Sequence, residues 1–268
     1  MKNTLKYLGL FVSVALLVSI SASASSEPKR GFYLPPNAQK VADNVFHLGS
    51  VTDSLTGEKI DGYAIIHKKG NAKGGAARPG GTATCYGFLA KGAKWRNVEP
   101  WLINTSNTAG LGSNVVSNII ANGIGKWESQ VPTDILGDGS ITTATLEADT
   151  LAPDDKNEVY FGPIDQKGVI GVTTVWGVFG GPTFNRRLVE WDMVFNDQDF
   201  EWSAEENGVA GKMDFDNIAT HELGHAIGLA DIYTSSCQAV TMYGYANGGE
   251  TNKRTLEQSD IAGLNELY

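Results

Sequence analysis

Cysteine is nearly absent. Two in 268 residues, Cys85 and Cys237, exclude a disulfide-rich mini-domain and any four-cysteine zinc finger. Histidine is almost as scarce, at four: His47, His67, His221 and His225. Any site built on imidazole must draw on those. Basic residues are also few, 21 against 30 acidic ones, for a net charge of −9. No basic stretch is long enough to track a phosphate backbone, which argues against nucleic-acid binding. After the first 20 residues there is no apolar run long enough to cross a bilayer, so no stable membrane anchor is expected. What is present suffices for a packed core: 41% of residues are hydrophobic and 19% charged, which excludes wholesale disorder. The 32 glycines predict many loops and tight turns.

The first segment reads as an address. Lys2 and Lys6 precede an apolar run from Leu8 to Ile20, and small residues follow, Ser21-Ala22-Ser23-Ala24. That order predicts a secretory signal peptide over residues 1–24, cleaved after Ala24, and hence an extracellular protein. The mature chain would carry 19 basic and 30 acidic residues, a net charge of −11. Export means an oxidising compartment, in which Cys85 and Cys237 can form a disulfide.

Residues 25–94 are set apart as a pro-segment or N-terminal extension. A strand is expected at Tyr63–His67, and the Gly- and Lys-rich stretch Lys68-Lys69-Gly70-Asn71-Ala72-Lys73-Gly74-Gly75 reads as a linker open to proteolysis. Residues 95–268 form the expected catalytic domain. It opens on a strand at 100–104. Val115, Val116, Ile119, Ile120, Ile124 and Trp127 then share one face of a helix over 112–129. Strands follow at 158–161, 169–179 and 188–195, the last two as an antiparallel pair across Gly180-Gly181-Pro182. A helix from Asp216 to Leu229, with Asp216 as N-cap, and a last helix over 256–267 complete the pattern. The mixture predicts an α/β (α+β) domain.

Residues 221–231 carry the chemistry: His-Glu-Leu-Gly-His-Ala-Ile-Gly-Leu-Ala-Asp. Four apart on a helix, His221 and His225 stand on one face and suit a shared zinc ion. Glu222 is turned away by about a third of a turn, so it is placed for proton transfer with water rather than ligation. Gly228 can end the helix in a left-handed conformation and turn the chain sharply. That turn would bring Asp231 back as a third ligand. No histidine follows His225, so a third imidazole could come only from His47 or His67, both of which read as surface or satisfied histidines.

The pattern resembles the metzincin clan of zinc endopeptidases, and Ala219–Leu229 is most similar to its matrixin branch. Aspartate at the third ligand position is similar to the H-E-x-x-H-x-x-G-x-x-D form of snapalysin-like bacterial peptidases. Val240-Thr241-Met242-Tyr243 resembles the clan's methionine turn, which would put Met242 under the metal. Leu188–Asn196 resembles the strand before the active-site helix, and Ser259–Leu264 the C-terminal helix. The resemblance implies a zincin-like fold: a twisted mixed sheet on an active-site helix and a second long helix, with a small one-helix C-terminal subdomain. It implies Zn2+ on His221, His225 and Asp231, with Glu222 as general base and acid. It implies a protein or peptide substrate lying along an edge strand, here Val172–Gly180. It further suggests structural Ca2+ on Asp149, Asp154, Asp155 and Asp192. Within the resemblance Cys85 gains a second reading, a pro-segment thiolate on the metal, although Ala83–Phe88 does not match the family's switch motif. The expectation is a secreted, monomeric zinc endopeptidase made as a zymogen. The alternatives are a secreted zinc-binding structural or adhesion protein without turnover, and a different hydrolase on the same helix.

Overall fold

In the computed structural model the described residues are 31–54, 56–70 and 84–268. The expected signal peptide, its cleavage site and most of the Gly/Lys linker lie outside them.

The strands are β1 (Gln39–Ala42), β2 (Val45–Thr52), β3 (Lys59–Lys69), β4 (Trp101–Asn104), β5 (Gly139–Ile141), β6 (Asn157–Gly162), β7 (Val169–Val178), β8 (Arg187–Asn196), β9 (Trp202–Ser203), β10 (Met213–Asp214) and β11 (Tyr245–Ala246). The helices are α1 (Ser113–Glu128), α2 (Phe215–Ala226) and α3 (Gln258–Leu267). One mixed sheet runs in the order β1-β2-β3-β7-β8-β6-β4-β5, and β11 adds to β3. From β5 to β8 the neighbours are parallel, whereas β7 is antiparallel to both β8 and β3. The predicted β7–β8 pair is therefore present.

Alternation along the strands builds a core on each face of this sheet. On the helical face, Ile65, Ile170, Val175, Trp191 and Met193 pack with Trp127, Leu223 and Ile227. On the other, Ala64, Ile66, Val172, Trp176 and Val194 enclose Phe32 and Tyr160. All residues of β6 and β7 are buried.

Helix α2 lies against α1 at close range. A Cβ at Gly123 would come within 2.6 Å of Leu223, so glycine there permits the approach. The indoles of Trp127 and Trp95 donate to the α2 carbonyls of Thr220 and Ala226 at 2.9 and 2.8 Å. The α2 N-cap is Asp214, not Asp216: its carboxylate accepts the Asn217 N–H at 2.9 Å. Asp214 wins because its backbone is extended in β10 and the Arg254 fork grips its side chain at 2.8 and 2.5 Å.

The placement of the N-terminal stretch changes one expectation. Strands β1 to β3, from the segment set apart as an extension, are hydrogen bonded into the same sheet. Consequently β7, expected as the free edge strand that receives substrate, is an interior strand. Its outer edge is taken by β3 from Asp61 to Lys68.

The cysteines form a disulfide, Cys85–Cys237, with Cα atoms 5.5 Å apart across 152 residues of sequence. Of the two readings left open, it is the disulfide that the structure contains. It pins the segment before β4 to the loop after α2. Replacing both cysteines by alanine is expected to cost about 2–5 kcal/mol by freeing the unfolded chain. An unchanged midpoint of thermal unfolding would contradict this.

Candidate metal centre

The sequence around α2 explains the centre's form. The helix is buried almost throughout, so its polar side chains must find partners inside the protein. His221 donates its Nδ1–H to the Thr241 carbonyl at 2.7 Å, and His225 donates its own to Leu229 at 2.9 Å. These bonds fix both rings with Nε2 free. The helix stops at Ala226 and the chain turns at Gly228, where φ is +106°. A Cβ there would stand 2.8 Å from the Ala93 carbonyl, so both conformation and space call for glycine.

The turn returns Asp231 to the helix. Its Oδ1 lies 3.2 Å from His221 Nε2 and 3.4 Å from His225 Nε2. All three atoms are buried and have no hydrogen-bond partner. Three such atoms in mutual reach are costly unless something sits between them. Ligands at about 2.0–2.2 Å around a tetrahedral ion would be spaced by about 3.3 Å, so the donor set fits zinc. Burial lowers the basicity of His221 to about 4, and the same burial opposes charge on Asp231. The two imidazoles nevertheless hold the Asp231 carboxyl well below its ordinary range. Burial opposes charge on His225, but Asp231 in turn pushes it up; a bound metal would take both imidazoles neutral and the carboxylate ionised.

A supporting layer surrounds these residues. Tyr233 donates its hydroxyl to Asp231 Oδ2 at 2.7 Å, leaving Oδ1 to face the two imidazoles. The Asp260 carboxylate accepts the N–H groups of Thr241 and Met242 at 2.8 and 3.2 Å, fixing the turn that carries the His221 acceptor. Met242 lies beneath α2, where a Cβ on Gly224 would be 2.1 Å from its sulfur. Tyr233 carries no motif, and although Asp260 lies in the Ser259–Leu264 resemblance its support of this turn was not legible from sequence.

Glu222 faces away from the trio, as its position one residue on requires. Its Oε2 accepts the Thr173 hydroxyl of β7 at 2.6 Å. Its Oε1 lies 3.0 Å from Nδ1 of His67 on β3. Burial pushes this carboxyl up to about 7 against the pull of His225 and Thr173. A Cβ at Gly171 would sit 3.1 Å from Oε1, so bare backbone in β7 makes room for the carboxylate. His67 thus belongs to the site, contrary to its reading as an ordinary histidine. Its ring stacks on His221 with centroids 3.9 Å apart. His47 does not belong; it pairs with Asp61 at 3.1 Å near the other end of β3.

The aspartates suggested for calcium divide. Asp149, Asp154 and Glu190 bring carboxylate oxygens within 4.8 Å of one another. Asp192 instead accepts the N–H groups of Asp149 and Glu158 at 2.8 and 3.1 Å, and Asp155 donates its own to Glu190. Burial, then the charges of Asp192 and Asp149, push Glu190 up to about 10. The folded state thus holds a proton that the unfolded chain, with an ordinary value of 4.5, releases. Its contribution to stability is full below about 4.5 and declines as pH rises towards about 10. Glu190→Gln is therefore expected to flatten the fall of the unfolding midpoint between pH 5 and 9. An equally steep fall in the variant would contradict this.

Residues 94–268 match the family described as matrixin, and the span includes α2, Asp231 and the Met242 turn. The metalloendoproteinase 1-MMP of Arabidopsis thaliana is 28% identical over 189 residues, 70% of this chain and 48% of that protein. Matrilysin of Rattus norvegicus is 25% identical over 183 residues, 68% of this chain and 61% of that protein. The chain thus matches about half to three fifths of these curated relatives' lengths. A solved structure, metalloproteinase-II from Bacteroides fragilis, aligns with 85% of this chain and 80% of its own at 9% identity and a TM-score of 0.34, too loose to carry an argument. The match over 94–268, which covers well over half of the residues and the whole of helix α2, makes this chain a member of the matrixin family.

Proposed function

We propose that the chain is a secreted zinc endopeptidase, kept latent in this form by its own strand β3. One observation carries the reading: three buried, unpartnered ligand atoms of His221, His225 and Asp231 converge beside a buried glutamate. Zinc, when bound, supplies the Lewis acidity that polarises a peptide carbonyl and acidifies water. Glu222 does the proton work. Its Oε2 is anchored by Thr173, and its Oε1 becomes available once His67 withdraws. Here it would accept a proton from the attacking water and pass one to the departing amine. A purely structural metal site would need no such group.

Substrate would lie where β3 now lies. Strand β3 is antiparallel to β7 on one side and parallel to β11 on the other. A cleft between two strand edges accepts an extended peptide by β-augmentation. With β3 in place, Glu222 is fully buried and no peptide can reach it. Residues 71–83 contain Lys73, followed by Gly74, so trypsin-like cleavage there would separate β1–β3 from the rest of the chain. The secretory reading rests on the order of residues in 1–24.

A zinc-binding protein without turnover is the second reading, favoured by the closed cleft. Incubating zinc-loaded chain with a denatured protein, before and after a cut within 71–83, separates the two. Cleavage after the cut, and little before it, is expected. Zinc bound with no cleavage in either state would favour the second reading.

A further inference from the structure

The segment that fills the cleft is also held at a second place, on the face of the sheet away from α2. The matrixin match begins at residue 94, and within it only residues 163–168 connect β6 to β7. The outer face of those strands takes much of its cover from the N-terminal stretch. Phe32, Leu48, Ile60 and Ile66 complete the core that includes Tyr160 and Ile164.

Phe32 is fixed by backbone as well as side chain. It precedes β1 and is 0% exposed. Its N–H donates to the Pro163 carbonyl at 2.8 Å, and its own carbonyl accepts the Asp165 N–H at 3.2 Å. Phe32 and Ile164 thus form a short parallel bridge. A Cβ at Gly31 would stand 2.6 Å from the Pro163 carbonyl, so glycine permits the approach. This seat lies on the face opposite α2, so it cannot itself obstruct Glu222.

The seat and β3 belong to one stretch of chain, joined through β1 and β2. Two contacts on one chain support each other. When one opens, the other keeps it at high local concentration, and it closes again before the segment is lost. Both contacts precede residue 71, so a cut within 71–83 leaves both in place.

We propose that the outer face at residues 163–165 is a docking site for the Phe32 segment, and that through it residues 31–70 stay on the cut chain as a dissociable inhibitory subunit. The inhibition rests on the endopeptidase reading above; the docking does not. Strand β3 does the blocking, and Phe32 sets how long the fragment stays. Activity after a cut then follows dissociation and rises on dilution.

The test uses the full-length chain, zinc-loaded and cut within 71–83, as wild type, Phe32→Ala and Phe32→Leu. Size-exclusion chromatography over a dilution series reads retention of the fragment, and cleavage of a denatured protein over the same series reads activity. The wild-type fragment should co-elute with the rest of the chain when concentrated, and specific activity should rise as it leaves. The alanine fragment should leave about tenfold faster or more, with leucine in between. Before the cut all three should be equally latent, because the intact linker returns β3 to the cleft. If alanine abolishes the cooperative unfolding of the uncut chain, leucine carries the comparison. A wild-type fragment that separates at every concentration, or release that neither substitution changes, would overturn the docking site. Fragment loss with no gain in specific activity would overturn the inhibitory role. If no form cleaves protein at any dilution, the endopeptidase reading fails, and the release rates decide the docking site alone.

Discussion

Glu222→Gln is expected to lower kcat on a protein substrate by about 10²–10⁴-fold, the usual worth of a positioned general base, with bound zinc unchanged. The substitution keeps the shape of the side chain and its contact with Thr173. It removes the proposed proton acceptor. Zinc should stay because Glu222 is not among the atoms that converge on the metal position, which belong to His221, His225 and Asp231. The pH profile gives an independent check. Activity needs the carboxylate, so it should rise with pH through the titration of Glu222. That titration should fall below the value of about 7 set by burial in the metal-free protein, because a nearby metal charge favours the ionised form. The variant should lose that limb. Activity within tenfold of wild type, with the same pH profile, would assign the base to another residue. Metal content and kcat/KM measured on the same preparation, after release of β3, make the comparison.

Asp231→Ala should act on the other half of the chemistry. Loss of a partner that merely orients a metal ligand costs about 10–100-fold in metal affinity. Loss of Asp231, the proposed third ligand, should exceed that. Alanine would leave two imidazoles with a face open to water and would remove the acceptor of the Tyr233 hydroxyl. It would also remove the carboxylate charge that lies 3.2 and 3.4 Å from the two ring nitrogens. Competition against a chelator of known affinity measures the change. Unchanged affinity would move the third ligand elsewhere, and the neighbouring group of His67, His221 and Glu222 is the natural place to look.

The parts of this site that were legible in the sequence are those fixed by short-range geometry. His221, Glu222 and His225 share one helix turn, and Gly228 and Asp231 follow within six residues of His225, so helix periodicity and one glycine turn suffice to bring them together. The disulfide partners were legible by arithmetic, since there are only two cysteines. The pairing of β3 with β7 was not. It joins residues more than a hundred positions apart, and nothing in Tyr63–His67 distinguishes an edge strand from one lying across a cleft. The role of His67 followed that miss. It ends the apolar run Ala64-Ile65-Ile66 and reads as a surface or satisfied histidine until its strand is placed beside Glu222. The burial of Lys253 was hidden for a related reason. A lysine in a short polar stretch reads as solvated, and its burial is explained by the carbonyls of Tyr243 and Tyr245 together with His67. The helix cap failed on a finer scale. Asp214 and Asp216 both suit an N-cap, and the choice was made by the pairing of β10 with β9 and by Arg254.

The most direct test of the central claim is the position of the metal. A crystal of the zinc-loaded chain, with data collected on both sides of the zinc absorption edge, locates the ion by its anomalous signal. The account predicts one strong peak within about 2.0–2.2 Å of His221 Nε2, His225 Nε2 and Asp231 Oδ1. A peak between His67, His221 and Glu222, or none on α2, would contradict it.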